Sequence, residues 1–142
     1  MSCAQLATNL DVQMLVFQGV TVFSSSVPDS ALPIKTGADV ARELAGRPLL
    51  RYLRKEDANR YLRGDENRQC VTPTPYSADD VIGFLNLPDP ATERTHFLLL
   101  QPEKILEILG PRYICWGQGI EYILPRGFKS DALVNPWAVE MR

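Results

Sequence analysis

The chain alternates between short runs of apolar residues and segments in which apolar residues recur at helical spacing. The runs predict β-strands, because they are short and are bounded by turn residues. They lie at 12–17, 20–23, 49–54, 95–100, 112–116, 120–124 and 133–141. A further strand begins at Cys70, but Pro73 and Pro75 restrict it to a sheet edge or to a strand that leaves the sheet.

Four segments carry the spacing or the terminal signals of short helices. Thr36 precedes the first, and a glycine or a proline ends or follows each of them. They lie at 37–46, 56–64, 77–87 and 101–110. This order of elements predicts an α+β fold with a curved, mostly antiparallel sheet and short flanking helices. A doubly wound α/β fold is disfavoured, because the helices are short and no glycine-rich phosphate loop follows the first strand.

Length and composition indicate one ordinary domain. The 142 residues are enough for a core without disulfide or metal staples, and no linker divides them. The sequence leaves open whether residues 1–35 belong to this core or form an accessory N-terminal hairpin. A formal net charge of −2 gives no global basic field, so nucleic acid is not an expected partner.

Residue counts exclude several common sites. His96 is the one histidine of the sequence, which rules out two-histidine metal sites. Cys3, Cys70 and Cys115 lack C-x-x-C spacing, which argues against both zinc and a disulfide scaffold and favours a reduced, cytoplasmic environment. We expect no metal, no secretory signal, since the N-terminus has no basic region, and no membrane span, since no apolar stretch approaches the roughly 18 residues required.

Two charged residues interrupt apolar strands. Glu121 follows the Gly117-x-Gly119 loop inside a run that otherwise looks buried, where a carboxylate is costly unless it is paired. It either points outward between inward Ile120 and Tyr122 or has a function. In the strand at 49–54, Arg51 and Arg54 should leave by opposite faces, so that one of them lies on the core side and needs an anionic partner.

An arginine near a strand end, then a hydroxyl-bearing strand, then a glutamate at the start of a late strand resembles the ADP-ribosyltransferase fold and its toxin-type NAD glycohydrolase relatives. The resemblance covers roughly residues 48–140, the NAD-binding core that it implies. It implies NAD as substrate and cleavage of the nicotinamide–ribose bond, with Glu121 as the catalytic residue at the ribose. The implied NAD-binding residues are Arg51, Tyr52, Thr72, Thr74, Tyr76 and Trp116. Gly119 stands where arginine-modifying members carry a second acid.

Two functions from different classes follow. As an enzyme of the effector or toxin type, with a protein target or a cognate immunity protein, the chain should bring Arg51, a threonine of 72–74 and Glu121 to one cleft. As a non-catalytic interaction module of the immunity or adaptor type, it should use exposed aromatic and arginine side chains at an interface. Arg51 and Glu121 would then be far apart or simply paired.

Overall fold

A computed structural model describes residues 14–17, 19–75, 95–114 and 119–140 of the chain. Its strands are β1 (Met14–Phe17), β2 (Val20–Phe23), β3 (Ile34–Lys35), β4 (Leu49–Leu53), β5 (Gly64–Asp65), β6 (Gln69–Val71), β7 (His96–Leu100), β8 (Ile108–Tyr113), β9 (Ile120–Leu124), β10 (Phe128–Lys129) and β11 (Val139–Glu140). Its helices are α1 (Gly37–Glu43) and α2 (Ala58–Tyr61), with 3-10 helices at Asp29–Ala31, Lys55–Asp57, Pro102–Lys104 and Ser130–Ala132. The described part is therefore mixed α+β, as predicted.

The strands form three open sheets. The largest has the order β1-β2-β8-β9-β6, and β3 also pairs with β8. The second has the order β11-β7-β4, and β10 pairs with β5. Among the described strands the pairings are antiparallel except β2–β8, which confirms the mostly antiparallel prediction but replaces one curved sheet with several.

A bridge between Leu50 and Thr72 connects the two larger sheets. The Leu50 N–H donates to the Thr72 carbonyl at 2.7 Å, and the Thr72 N–H donates to the Leu50 carbonyl at 3.0 Å. Within its own sheet β6 lies at the edge, as its prolines predicted. The bridge therefore brings β4 beside β6, which itself lies beside β9.

The main core fills the space between these sheets and the short helices. Its largest fully buried members are Tyr122, Leu49, Leu53, Leu98, Leu100, Ile108 and Leu124, with Val40 from α1. In β4 the residues on both sides of Arg51 are buried, so neither face of this strand is broadly exposed. Arg54 lies beyond the end of β4, where it pairs with Asp57 at 3.0 Å, and this differs from the predicted pair of arginines on one strand.

Helix α1 begins where Thr36 predicted, and it ends at Glu43, before the predicted end at Gly46. The Thr36 hydroxyl accepts from the Asp39 N–H at 3.1 Å, and the Asp39 carboxylate accepts from the Thr36 N–H at 3.3 Å. This reciprocal capping box satisfies two backbone donors at the start of the helix. Gly37 then lies against the Pro102 and Ile105 carbonyls, where a Cβ would come within 2.1 Å and 2.5 Å. The glycine therefore allows α1 to pack closely on the segment that follows β7.

The prediction of a helix at 101–110 is wrong. Its Ile105, Leu106, Ile108 and Leu109 fit helical spacing, but the segment contains only the 3-10 helix Pro102–Lys104 before β8 begins. Pairing of β8 with β9 and β3 overrides this helical pattern, because it buries Ile108 and Leu109.

The bounds of other elements also differ from those predicted from the sequence. The strand predicted at 112–116 starts earlier, as β8, and the strand predicted at 133–141 is reduced to the two residues of β11. The predicted helix at 77–87 lies outside the described residues. The strands predicted at 12–17, 20–23, 95–100 and 120–124 correspond to β1, β2, β7 and β9.

Candidate functional site

A cavity of about 300 Å³ opens where β4, β6 and β9 meet. Its lining residues are Leu50, Arg51, Tyr52, Arg68, Gln69, Cys70, Val71, Thr72, Ile114 and Glu121. Four residues predicted from the sequence, Arg51, Tyr52, Thr72 and Glu121, therefore lie around one space. They come together because the Leu50–Thr72 bridge joins β4 to β6 and because β6 pairs with β9.

Of the other three predicted residues, Thr74 is described and does not line the cavity. Thr74 lies just beyond β6, and its carbonyl accepts a hydrogen bond from the Tyr52 hydroxyl at 3.3 Å. Its N–H donates to the Thr72 hydroxyl at 3.3 Å. Thr74 therefore contacts two lining residues without itself being one. Tyr76 and Trp116 lie outside the described residues.

Arg51 is held by neutral groups. Its Nε donates to Gln69 Oε1 at 2.8 Å, its Nη1 donates to the Tyr52 carbonyl, and its Nη2 lies 3.4 Å from the Tyr61 hydroxyl. The guanidinium carbon also lies 5.1 Å from the centre of the Tyr61 ring. Within the described part of the chain Arg51 forms no ion pair with a carboxylate. Its charge is thus oriented by the protein without being neutralised there.

Glu121 shows the strand alternation that its position predicted. Ile120 and Tyr122 are buried on one face of β9, and Glu121 projects from the other face with 16% of its side chain exposed. Its Oε1 accepts from Arg112 Nε at 3.1 Å and from Arg112 Nη2 at 2.8 Å. The carboxylate is therefore paired, with Arg112 and not with Arg51, and it also lines the cavity.

Arg112 belongs to a network that the sequence analysis missed. Its Nη1 donates to the Val27 carbonyl at 2.7 Å and to Asp29 Oδ1 at 3.2 Å. Asp29 in turn accepts from Arg68 Nε at 2.7 Å. The hydrogen bond from Arg68 is the main cause that holds the pKa of Asp29 below its usual value. Two arginines and two carboxylates thus neutralise each other on this side of the cavity.

Cys70 lies between this network and the cavity. Burial, and secondly the negative charge of Glu121, raise the pKa of its thiol to about 11. Arg68 Nη1 lies 3.4 Å from its sulfur. At neutral pH the group is therefore a neutral thiol, which makes it a poor nucleophile.

His96 is not among the residues that line the cavity. His96 lies on β7, with its Nδ1 2.8 Å from the Thr95 hydroxyl. Among the residues that can be described, no three histidine, cysteine or carboxylate side chains are grouped closely enough to hold a metal ion. Within the same residues, no helix has the length and apolar character needed to cross a membrane.

Comparison of the chain with protein-family models, with curated proteins and with solved structures gives no match.

Proposed function

We propose that the chain binds NAD in this cavity and cleaves the nicotinamide–ribose bond, as an ADP-ribosyltransferase or an NAD glycohydrolase. One observation carries the proposal. The same cavity is lined by Arg51 on β4, Thr72 beside β6 and Glu121 on β9. These are the residues to which the resemblance assigns its three roles. Strands far apart in the sequence supply these residues, so their convergence does not follow from the order of the motifs alone.

The electrostatics suit a dinucleotide. Arg51 presents a guanidinium without a carboxylate partner in the described residues, and the NAD pyrophosphate would supply the missing anion. A volume of about 300 Å³ lies at the lower end of the range for ligand pockets. We therefore assign the cavity to the nicotinamide riboside end of NAD, with the phosphates directed towards Arg51. Tyr52 also lines this end, where it is almost fully buried and its ring packs against Phe97 at 5.8 Å between centroids.

Glu121 would act on the developing positive charge. When the bond between nicotinamide and ribose C1′ breaks, its electron pair leaves with the nicotinamide nitrogen, and the ribose becomes oxocarbenium-like. A carboxylate held beside the ribose stabilises that charge more than it stabilises the ground state. Water or the nucleophile of an acceptor then bonds to C1′ and loses a proton. The first gives hydrolysis and the second gives transfer.

The direct test is nicotinamide release from NAD by the purified protein. Glu121→Gln should lower the rate by at least about 100-fold, the scale observed when one preorganised electrostatic group is lost. Glu107→Gln is the matched control, because Glu107 pairs with Arg126 at 3.5 Å and does not line this cavity. Unchanged release by a folded Glu121→Gln protein would remove Glu121 from the mechanism.

A non-catalytic interaction module is the second candidate. The described surface exposes four large apolar side chains, Ile34, Leu106, Val134 and Trp137, as such a module would require. In this account Arg112 and Glu121 form a structural ion pair and the cavity has no ligand. The absence of both NAD binding and nicotinamide release would favour this function over the enzymatic one.

A further inference from the structure

We infer that Arg112 is a positioning residue for Glu121, and that the loop carrying Val27 and Asp29 is a working part of the candidate site. The inference rests on the proposed function and extends it to Arg112 and to a loop outside 48–140, the range covered by the resemblance. It assigns roles to an arginine and to an N-terminal loop that the motifs did not indicate.

The β8–β9 pairing places Arg112 opposite Glu121. The two residues are direct cross-strand partners, and a bulge between Leu109 and Arg112 shifts the register so that they meet. Gly110 lies within this bulge at φ +109°, and a Cβ there would come within 3.2 Å of the Glu121 carbonyl oxygen. A close backbone approach, which glycine permits, therefore accompanies the side-chain pairing.

The hydrogen bonds of Arg112 connect Glu121 on one side to the loop with Val27 and Asp29 on the other. Nε and Nη2 both donate to Glu121 Oε1, whereas Nη1 donates to the Val27 carbonyl and to Asp29. The side chains of Arg112 and Glu121 are only 11% and 16% exposed. Such poorly solvated, charge-assisted hydrogen bonds are strong and directional. The loop therefore holds the guanidinium at Nη1, and the guanidinium holds the Glu121 carboxylate at Oε1.

The lining of the cavity distinguishes the catalytic role of Glu121 from the positioning role of Arg112. Glu121 is among its lining residues and Arg112 is not. Arg112 therefore acts on the reaction through Glu121. Its hydrogen bonds to Oε1 fix the carboxylate in one orientation, and it donates none to Oε2. Losing Arg112 should misplace the carboxylate without removing a substrate contact. The expected kinetic signature is a lower kcat with a nearly constant KM for NAD.

The test compares Arg112→Gln, Arg112→Lys and Asp29→Asn with the wild type in nicotinamide release at varied NAD concentration. Arg112→Gln should lower kcat by about 100-fold, because a misplacement of about 1 Å costs that much. Arg112→Lys should recover part of the rate, because it keeps the charge but not the two-donor fork. Asp29→Asn should lower kcat less, since the Val27 carbonyl still holds Arg112. KM should stay within about 2-fold in all three.

Arg126→Gln is the control for a general effect of losing an ion-paired arginine. Arg126 is 78% exposed, pairs with Glu107 and does not line this cavity, so its variant should retain the wild-type kcat. Thermal unfolding and the stoichiometry of NAD binding give the folded, binding-competent fraction of each variant. If Arg112→Gln does not fold, Arg112→Lys and Asp29→Asn decide the question.

Three outcomes would overturn the inference. Wild-type kcat in folded Arg112 variants would show that Glu121 needs no positioning, and the proposed function would stand. A raised KM at constant kcat would make Arg112 a substrate contact instead. A wild-type protein that neither binds NAD nor releases nicotinamide would remove the proposed function, and this inference with it.

Discussion

At the scale of single residues, the sequence identified one member of the central ion pair and missed the other. Glu121 was conspicuous as a carboxylate within an apolar strand. Arg112 begins the strand predicted at 112–116, directly before the strand that carries Glu121, and opposite charges on consecutive antiparallel strands can pair directly. This signal was available in the sequence. The partners of Arg112 at Val27 and Asp29 were not, because no local pattern relates positions more than 80 residues apart, as the separations of 83 and 85 here show.

The thiol of Cys70 provides a residue-scale prediction. With a pKa of about 11 in the folded protein, Cys70 should react with iodoacetamide at pH 8 roughly 100-fold more slowly than in the urea-unfolded chain. Because the Glu121 charge contributes to the raised pKa, Glu121→Gln should increase the native rate. Peptide mass spectrometry resolves Cys70 from the other cysteines. Equal rates in the folded and unfolded chains would contradict the described environment of this thiol.

At the scale of elements, apolar spacing together with an end signal predicts one helix correctly and another wrongly. Helix α1 has Thr36, its apolar spacing and Gly46; it begins as predicted and ends at Glu43, three residues before Gly46. The segment 101–110 has apolar spacing as well, but only Pro102–Lys104 is helical. Leu106, in the bend before β8, is 80% exposed while Ile108 in β8 is fully buried, a difference that helical periodicity does not reveal.

The contact of α1 with the segment after β7 gives the prediction at this scale. Gly37→Ala should destabilise the protein by about 1–3 kcal/mol, because the added Cβ meets backbone carbonyls that cannot rotate away. Ala38→Ser, at an exposed position of the same helix, is the control and should have little effect. Urea unfolding measures both. A Gly37→Ala protein as stable as the wild type would show that α1 can move away at no cost.

At the scale of the whole molecule, composition and the order of elements were sufficient for the α+β class and for mostly antiparallel sheets. They did not predict the division into three sheets, the parallel β2–β8 pairing or the bridge that joins β4 to β6. These depend on contacts between distant segments, which local periodicity does not encode. The cavity exists only because of them, so the sequence could name residues for a site but could not show that they meet.

The network that links residues 27–29 to β8 and to Arg68, just before β6, should affect the acid stability of the molecule. The pKa of Asp29 is lower in the folded state than its ordinary value of 3.8, so its contribution to stability is complete above that pH and is lost as the pH falls through the folded pKa. Asp29→Asn should therefore be less stable than the wild type at pH 7, and this difference should shrink below about pH 4. Thermal unfolding from pH 7 to pH 2 tests it. A constant difference would exclude linkage through Asp29.

The most direct test of the central claim is where NAD binds. We would titrate the ¹⁵N-labelled protein with an NAD analogue whose nicotinamide ribose carries carbon in place of the ring oxygen, which prevents cleavage, and follow the backbone amide signals. The account predicts shifts concentrated at Arg51, Thr72 and Glu121, and their loss in Arg51→Gln. A second cavity, of about 480 Å³ and lined by Leu106 and Phe128, serves as the internal control. No shifts, or shifts at that second cavity alone, would contradict an NAD site between β4, β6 and β9.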